Sequence, residues 1–111
     1  LHCGQGDFPR LVLAVSDHED AVTLSAEAFN YADKFQIPVM VLTEKYLADA
    51  YKSCDFDIAD SVTIDRGKVE KNPPEDFGRF AITDDGVSPR VFPGIKGGEH
   101  SATSYEHDEN S

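Results

Sequence analysis

Cysteine is scarce in this chain of 111 residues, which has only Cys3 and Cys54. Two thiols so far apart do not make a zinc or iron–sulfur motif, which needs several closely spaced ligands. They are also too few for the dense framework of a disulfide-stapled secreted domain, so both read as reduced thiols of a cytoplasmic protein. Long apolar runs are missing as well. No stretch approaches the roughly 20 apolar residues of a membrane-spanning helix, and no secretory signal peptide opens the sequence. Basic residues are few, 10 against 21 acidic ones, giving a formal net charge of −11. Such a surface repels phosphate backbones and argues against nucleic acid. It suits solubility, a cationic partner or a salt-adapted protein. Phosphate-cradling signatures are lacking too. Gly4-Gln5-Gly6 carries neither GxGxxG nor a Walker lysine, and it precedes a strand instead of opening a helix.

What is present begins with Leu11 to Val15, a short, continuously apolar run bounded by turn residues. That is the pattern of a strand covered on both faces. Ser16 followed by Glu19 has capping-box spacing, and Asp17, Glu19 and Asp20 place negative charge at the positive end of a helix dipole. The helix is expected from about Asp17 to Lys34. Val22, Leu24, Ala26, Ala28, Phe29 and Phe35 supply its apolar side. Ile37 to Leu42 repeats the strand pattern, and Thr43 is the expected cap of a second helix over Glu44 to Ser53, with Tyr46, Leu47, Ala50 and Tyr51 inward. Strand, helix, strand, helix with short loops predicts a βαβ crossover and a parallel sheet. Its βα turns, Ser16-Asp17 and Thr43-Glu44, fall on the edge where open α/β sheets bind ligands.

Beyond Ser53 the periodicity fades. Val62-Thr63-Ile64 has the composition of a third short strand. From Asp65 the chain is rich in Gly, Pro and charge, with aromatics at Phe77, Phe80, Phe92 and Tyr105. A stretch this long without periodicity reads as a functional connection or as a segment ordered by a partner. The expected division is therefore residues 1–64, an α/β unit, and residues 65–111, an extended connecting and interface segment. Asp84-Asp85-Gly86 reads as a turn. Ser88 and Ser101 lack an elbow or a base at any known spacing. Glu99-His100 and Glu106-His107-Asp108-Glu109 gather histidines and carboxylates without matching a metal motif. Arg66, Arg79 and Arg90 each carry a fork that could clamp a carboxylate or a phosphate, and Arg90 with His100, Glu106, His107 and Glu109 forms a candidate polar interface cluster. No metal site and no catalytic residue is assigned in this segment, and cofactor-binding residues remain unassigned.

The order of motifs carries more than any one of them. Gly6-Asp7-Phe8-Pro9-Arg10-Leu11-Val12-Leu13-Ala14 comes first, then Ala26-Glu27-Ala28-Phe29-Asn30, then Pro38 to Thr43 with Lys45-Tyr46-Leu47-Ala48. Ile64 to Lys68, Gly86-Val87-Ser88-Pro89-Arg90, Pro93-Gly94 and Glu106 to Glu109 follow. Together they resemble the alpha subunit of 2-oxoacid:ferredoxin oxidoreductases, above all the 2-oxoglutarate type. Ser104 and Tyr105 depart from that pattern, standing where a glycine and an aliphatic residue are commoner.

The resemblance implies a thiamine-diphosphate enzyme that decarboxylates a 2-oxoacid, transfers the acyl group to coenzyme A and reduces ferredoxin. It implies a βαβ parallel-sheet remnant of a Rossmann-like three-layer domain that binds the pyrimidine half of the cofactor, followed by an irregular C-terminal tail. Thiamine diphosphate and Mg belong to the intact enzyme, an iron–sulfur cluster to the partner beta subunit, and none of them to this segment alone. The opening Leu1-His2-Cys3-Gly4 and the closing Glu109-Asn110-Ser111 read as the ends of a piece of a longer protein. The alternative reading is a free-standing acidic Rossmann-like binding module without catalytic activity.

Overall fold

The computed structural model describes Gly4, residues 6–55 and residues 57–102. The chain divides after Asp65 into two compact units. In the first, β1 (Leu11–Ala14) leads into α1 (His18–Phe35), β2 (Val39–Leu42), the short α2 (Lys45–Asp49) and the single turn α3 (Ile58–Ser61). The two strands pair in parallel, Leu11 opposite Val39 through Ala14 opposite Leu42. The ladder is extended at both ends, by Leu11 N–H to the Pro38 carbonyl at 3.1 Å and Val15 N–H to the Leu42 carbonyl at 3.0 Å. The expected βαβ unit is therefore present, with α1 packed on β2.

The start of α1 is capped one residue later than the sequence pattern suggested. Asp17, with extended backbone, is the N-cap and accepts the Asp20 N–H at 2.8 Å. The Asp20 carboxylate reaches back to the Ser16 N–H at 2.8 Å and the Ser16 hydroxyl at 2.9 Å. An Asp17 cap with Asp20 reaching back to Ser16 thus replaces the Ser16/Glu19 box, the two carboxylates taking the acceptor roles. Glu19 is released for another partner. At the far end Gln36 adopts the left-handed conformation, φ 55° and ψ 41°, where glycine is usual.

Helix α2 is shorter than expected and is capped by Glu44, not Thr43. The Glu44 carboxylate accepts the N–H groups of Tyr46 and Leu47 at 3.0 and 2.8 Å. It ends where Ala50 turns extended and its carbonyl meets His18 Nε2 at 3.2 Å. Tyr46 and Tyr51 are exposed, not inward. The third strand at Val62–Ile64 does not form. Asn30 holds that backbone instead, donating from Nδ2 to the Thr63 carbonyl at 2.5 Å and accepting the Asp65 N–H at 2.8 Å. The Lys34 ammonium lies 3.4 Å from Asp65.

Among the described residues Ala28 is the one buried hydrophobic side chain. Phe29, expected on the inner face of α1, is 70% exposed, and Leu42 is 54% exposed. Phe35, 45% exposed, stacks on Tyr31 with ring centroids 6.2 Å apart. No described helix is long and apolar enough to cross a membrane.

The second unit has no helix and no longer strand among its described residues. Val69 and Arg90 form an isolated parallel bridge, with Glu70 N–H on the Arg90 carbonyl (2.8 Å) and Arg90 N–H on the Lys68 carbonyl (2.9 Å). Turns closed by Phe77 N–H to Pro74, Gly86 N–H to Thr83 and Ile95 N–H to Phe92 supply the rest. Gly86 has φ +72°, so the expected Asp84-Asp85-Gly86 turn needs its glycine. Gly98 is buried against Val91, which leaves no room for a Cβ.

With Asp17 as the cap, Asp17→Ala should cost about 1 kcal/mol in urea denaturation. Ser16→Ala, which the sequence pattern makes the more damaging change, should cost clearly less.

Candidate functional site

Open parallel sheets take ligands at the carboxyl ends of their strands. Here that edge consists of Val15, Ser16 and Asp17 after β1, and Thr43 and Glu44 after β2. Several of its backbone donors are already in use. Asp17 and Asp20 satisfy N–H groups at the start of α1, and Glu44 satisfies two at the start of α2. A diphosphate brought to α1 would meet the carboxylates of Asp17, Glu19 and Asp20 where an anion site needs open donors. The donor set of this edge therefore does not fit a diphosphate. No group of three metal-ligating side chains exists among the described residues.

Lying against the same edge is the segment that follows α2. The Lys52 ammonium donates to Glu19 at 2.6 Å, and the Cys54 thiol lies 3.9 Å from the Lys52 carbonyl. The hydrogen bond from Lys52 holds the Glu19 carboxyl below its ordinary pKa, and the same bond raises that of Lys52. The Cys54 thiol is pushed up, first by desolvation and then by the Glu19 charge.

In the second unit a polar knot organises the turn at residues 83–87. Lys68 Nζ reaches Asp85 at 2.5 Å and the Val87 carbonyl at 3.0 Å. The Thr83 hydroxyl lies 2.7 Å from the same carboxylate, and Val87 N–H donates to it at 3.2 Å. Lys68 first, then Thr83 and the Val87 N–H, holds the Asp85 carboxyl well below the usual carboxylate range. Sequence spacing offered no signal for this knot or for the Glu19–Lys52 pair, since their partners stand 17 and 33 residues apart.

The members of the candidate interface cluster have separate attachments. Arg90 donates to the Arg66 carbonyl at 3.1 Å, and its guanidinium sits over Phe92, 5.8 Å from the ring centroid. His100 packs edge-on to Phe80 and lies 2.9 Å from the Gly98 carbonyl. Arg79, another arginine of this segment, covers the Phe80 ring at 5.3 Å and donates to the Pro89 carbonyl at 3.4 Å. Burial, then the charge of Arg90, lowers the pKa of Arg79. The loop holding His100 borders an open cavity of about 450 Å³, lined in part by Phe92, Ile95, Lys96 and Glu99. Glu106, His107 and Glu109 lie outside the described residues. Ser88 donates to the Ala81 carbonyl at 2.8 Å, a structural bond.

Comparison with known proteins gives this geometry its context. The family described as pyruvate flavodoxin/ferredoxin oxidoreductase, thiamine diphosphate-binding, matches residues 2–111. Subunit alpha of 2-oxoacid:ferredoxin oxidoreductase 2 from Aeropyrum pernix is 43% identical over 98% of this chain and 17% of its own length. The 2-oxoglutarate synthase subunit KorA of Methanothermobacter thermautotrophicus is 29% identical over 94% of this chain and 27% of its own. Among solved structures, the 2-oxoglutarate:ferredoxin oxidoreductase of Magnetococcus marinus, with 2-oxoglutarate, coenzyme A and succinyl-CoA bound, superposes with a TM-score of 0.82. That match has 34% identity and covers 99% of this chain and 19% of that one. The chain thus spans about a sixth of the length of the Aeropyrum pernix subunit and about a quarter of that of KorA.

The Asp85 knot predicts a pH dependence. A depressed folded-state pKa contributes stability that is fully present above the unfolded carboxylate value, and it is lost as pH falls through the folded one. Amide protection at Val87 should therefore persist at neutral pH, decay only in strong acid, and be low at every pH in Asp85→Asn.

Proposed function

The chain belongs to the pyruvate flavodoxin/ferredoxin oxidoreductase family, in its thiamine-diphosphate-binding part, and from that premise we propose that the intact protein oxidises a 2-oxoacid with ferredoxin as acceptor. In that reaction the bond between the carboxyl carbon and the carbonyl carbon breaks and releases CO2. The sulfur of coenzyme A gives up its proton as it is joined to the acyl carbon, and two electrons leave one at a time to ferredoxin through an iron–sulfur cluster on a partner beta subunit. The substrate we assign is 2-oxoglutarate. What supports it is the likeness over 99% of this chain to an oxidoreductase with that substrate bound, with a more distant likeness to a 2-oxoglutarate synthase subunit.

In this reading the chain's own residues are scaffold. The βαβ unit fixes one stretch of the sheet, and its acidic edge keeps a diphosphate away from α1. Thiamine diphosphate supplies the carbon nucleophile when bound, and its diphosphate and Mg are held outside the described residues. Residues 65–111 connect onward and bury Phe77, Phe80 and Phe92 against neighbouring parts, with Arg90 and His100 pairing at that interface. The observation that carries the proposal is the end-to-end superposition at a TM-score of 0.82. A free-standing acidic binding module, the other reading of the sequence, gains no support from it.

The test is turnover by the full alpha subunit assembled with its partner. We expect coenzyme A-dependent reduction of ferredoxin with 2-oxoglutarate and much slower reduction with pyruvate. Preference for pyruvate would overturn the substrate assignment, and no turnover of any 2-oxoacid would overturn the reaction. The isolated 111-residue chain should reduce no acceptor.

A further inference from the structure

We propose that residues 50–54 form a salt-releasable strap across the first turn of α1, latched by Lys52 on Glu19 and by the Ala50 carbonyl on His18. The strap has no helix or ladder bonds of its own. Ala50 leaves α2 in an extended conformation, and residues 51–55 are all exposed, Tyr51 fully so. It is tied to α1 by the 2.6 Å ion pair, by the 3.2 Å bond from His18 Nε2 to Ala50 and by a hydrogen bond between the Cys54 thiol and Glu19. The side chains of that ion pair remain 47% and 38% exposed, so salt screens it. His18 and Glu19 open α1 at the carboxyl edge of β1, where α/β sheets admit ligands. Closed, the strap lies on His18 and Glu19 beside that edge. Open, it clears the edge and moves Cys54 away from Glu19.

Cys54 reports which state is present, because the sign of the response separates a released strap from a fixed one. Lys52 favours the Cys54 thiolate and Glu19 opposes it. In Lys52→Met, a fixed strap would lose a positive charge and its thiol would react more slowly. A released strap frees the thiol from Glu19, and it reacts faster. The experiment uses the full alpha subunit assembled with its partner. It is pulsed with iodoacetamide, and the Cys54 peptide is followed by mass spectrometry. We expect Lys52→Met to label about threefold faster or more at low salt, and Lys52→Arg to stay near the native rate. Slower or unchanged labelling in Lys52→Met overturns the strap. Amide exchange over residues 50–54 in the unmutated subunit tests the same idea without a variant. It should rise from low to high KCl while β1 stays protected, and salt-independent exchange overturns the latch. Neither readout depends on turnover, so failure here is distinct from failure of the proposed reaction.

Discussion

The parallel pairing of Leu11–Ala14 with Val39–Leu42 is the constraint on which the first unit depends. Two parallel strands cannot be joined by a tight hairpin, so the chain must cross over, and α1 is that crossover. Parallel sheets persist when both faces are covered, and an isolated two-stranded ladder has little stability of its own in water. Here α1 covers one face in part. Ala28 is buried, while Leu42 and Phe29 remain largely open and Val41 is partly so. Apolar surface of that kind in the middle of an α/β pattern is the mark of a layer that expects neighbours. The family relationship gives the same view, since the chain corresponds to 17% of the alpha-subunit relative from Aeropyrum pernix.

The chain's acidity has a local use beyond solubility. Asp17, Asp20 and Glu44 serve as helix caps, Glu19 and Asp65 pair with lysines, and Asp85 ties the turn at residues 83–87. With carboxylates committed at both helix starts, the sheet edge is closed to an anion. It presents charge that a cationic surface would complement. The second unit obtains its order differently, from turns, one bridge and arginines laid over phenylalanine rings.

The βαβ unit was legible because continuous apolar runs and helical spacing are strong local signals. The caps were legible in kind and displaced by one residue in place, since Ser16 and Asp17 are both good N-caps and only the fold decides between them. Val62–Ile64 misled because β-branched composition says nothing about a partner, and Asn30, 33 residues away from Thr63, took that backbone. Phe29 misled for the opposite reason. Its helical position is apolar as expected, yet no described element of the first unit covers it. Of the candidate cluster, Arg90 and His100 are ordered by an arginine's reach and by ring packing, which no spacing encodes.

Amide hydrogen exchange across residues 11–14 and 39–42, compared between the isolated chain and the intact alpha subunit, tests most directly that this sheet is held by neighbours. The account predicts rapid exchange in the isolated chain, with protection rising by roughly a hundredfold or more in the intact subunit. Strong protection of both strands in the isolated chain, equal to that in the intact subunit, would contradict it.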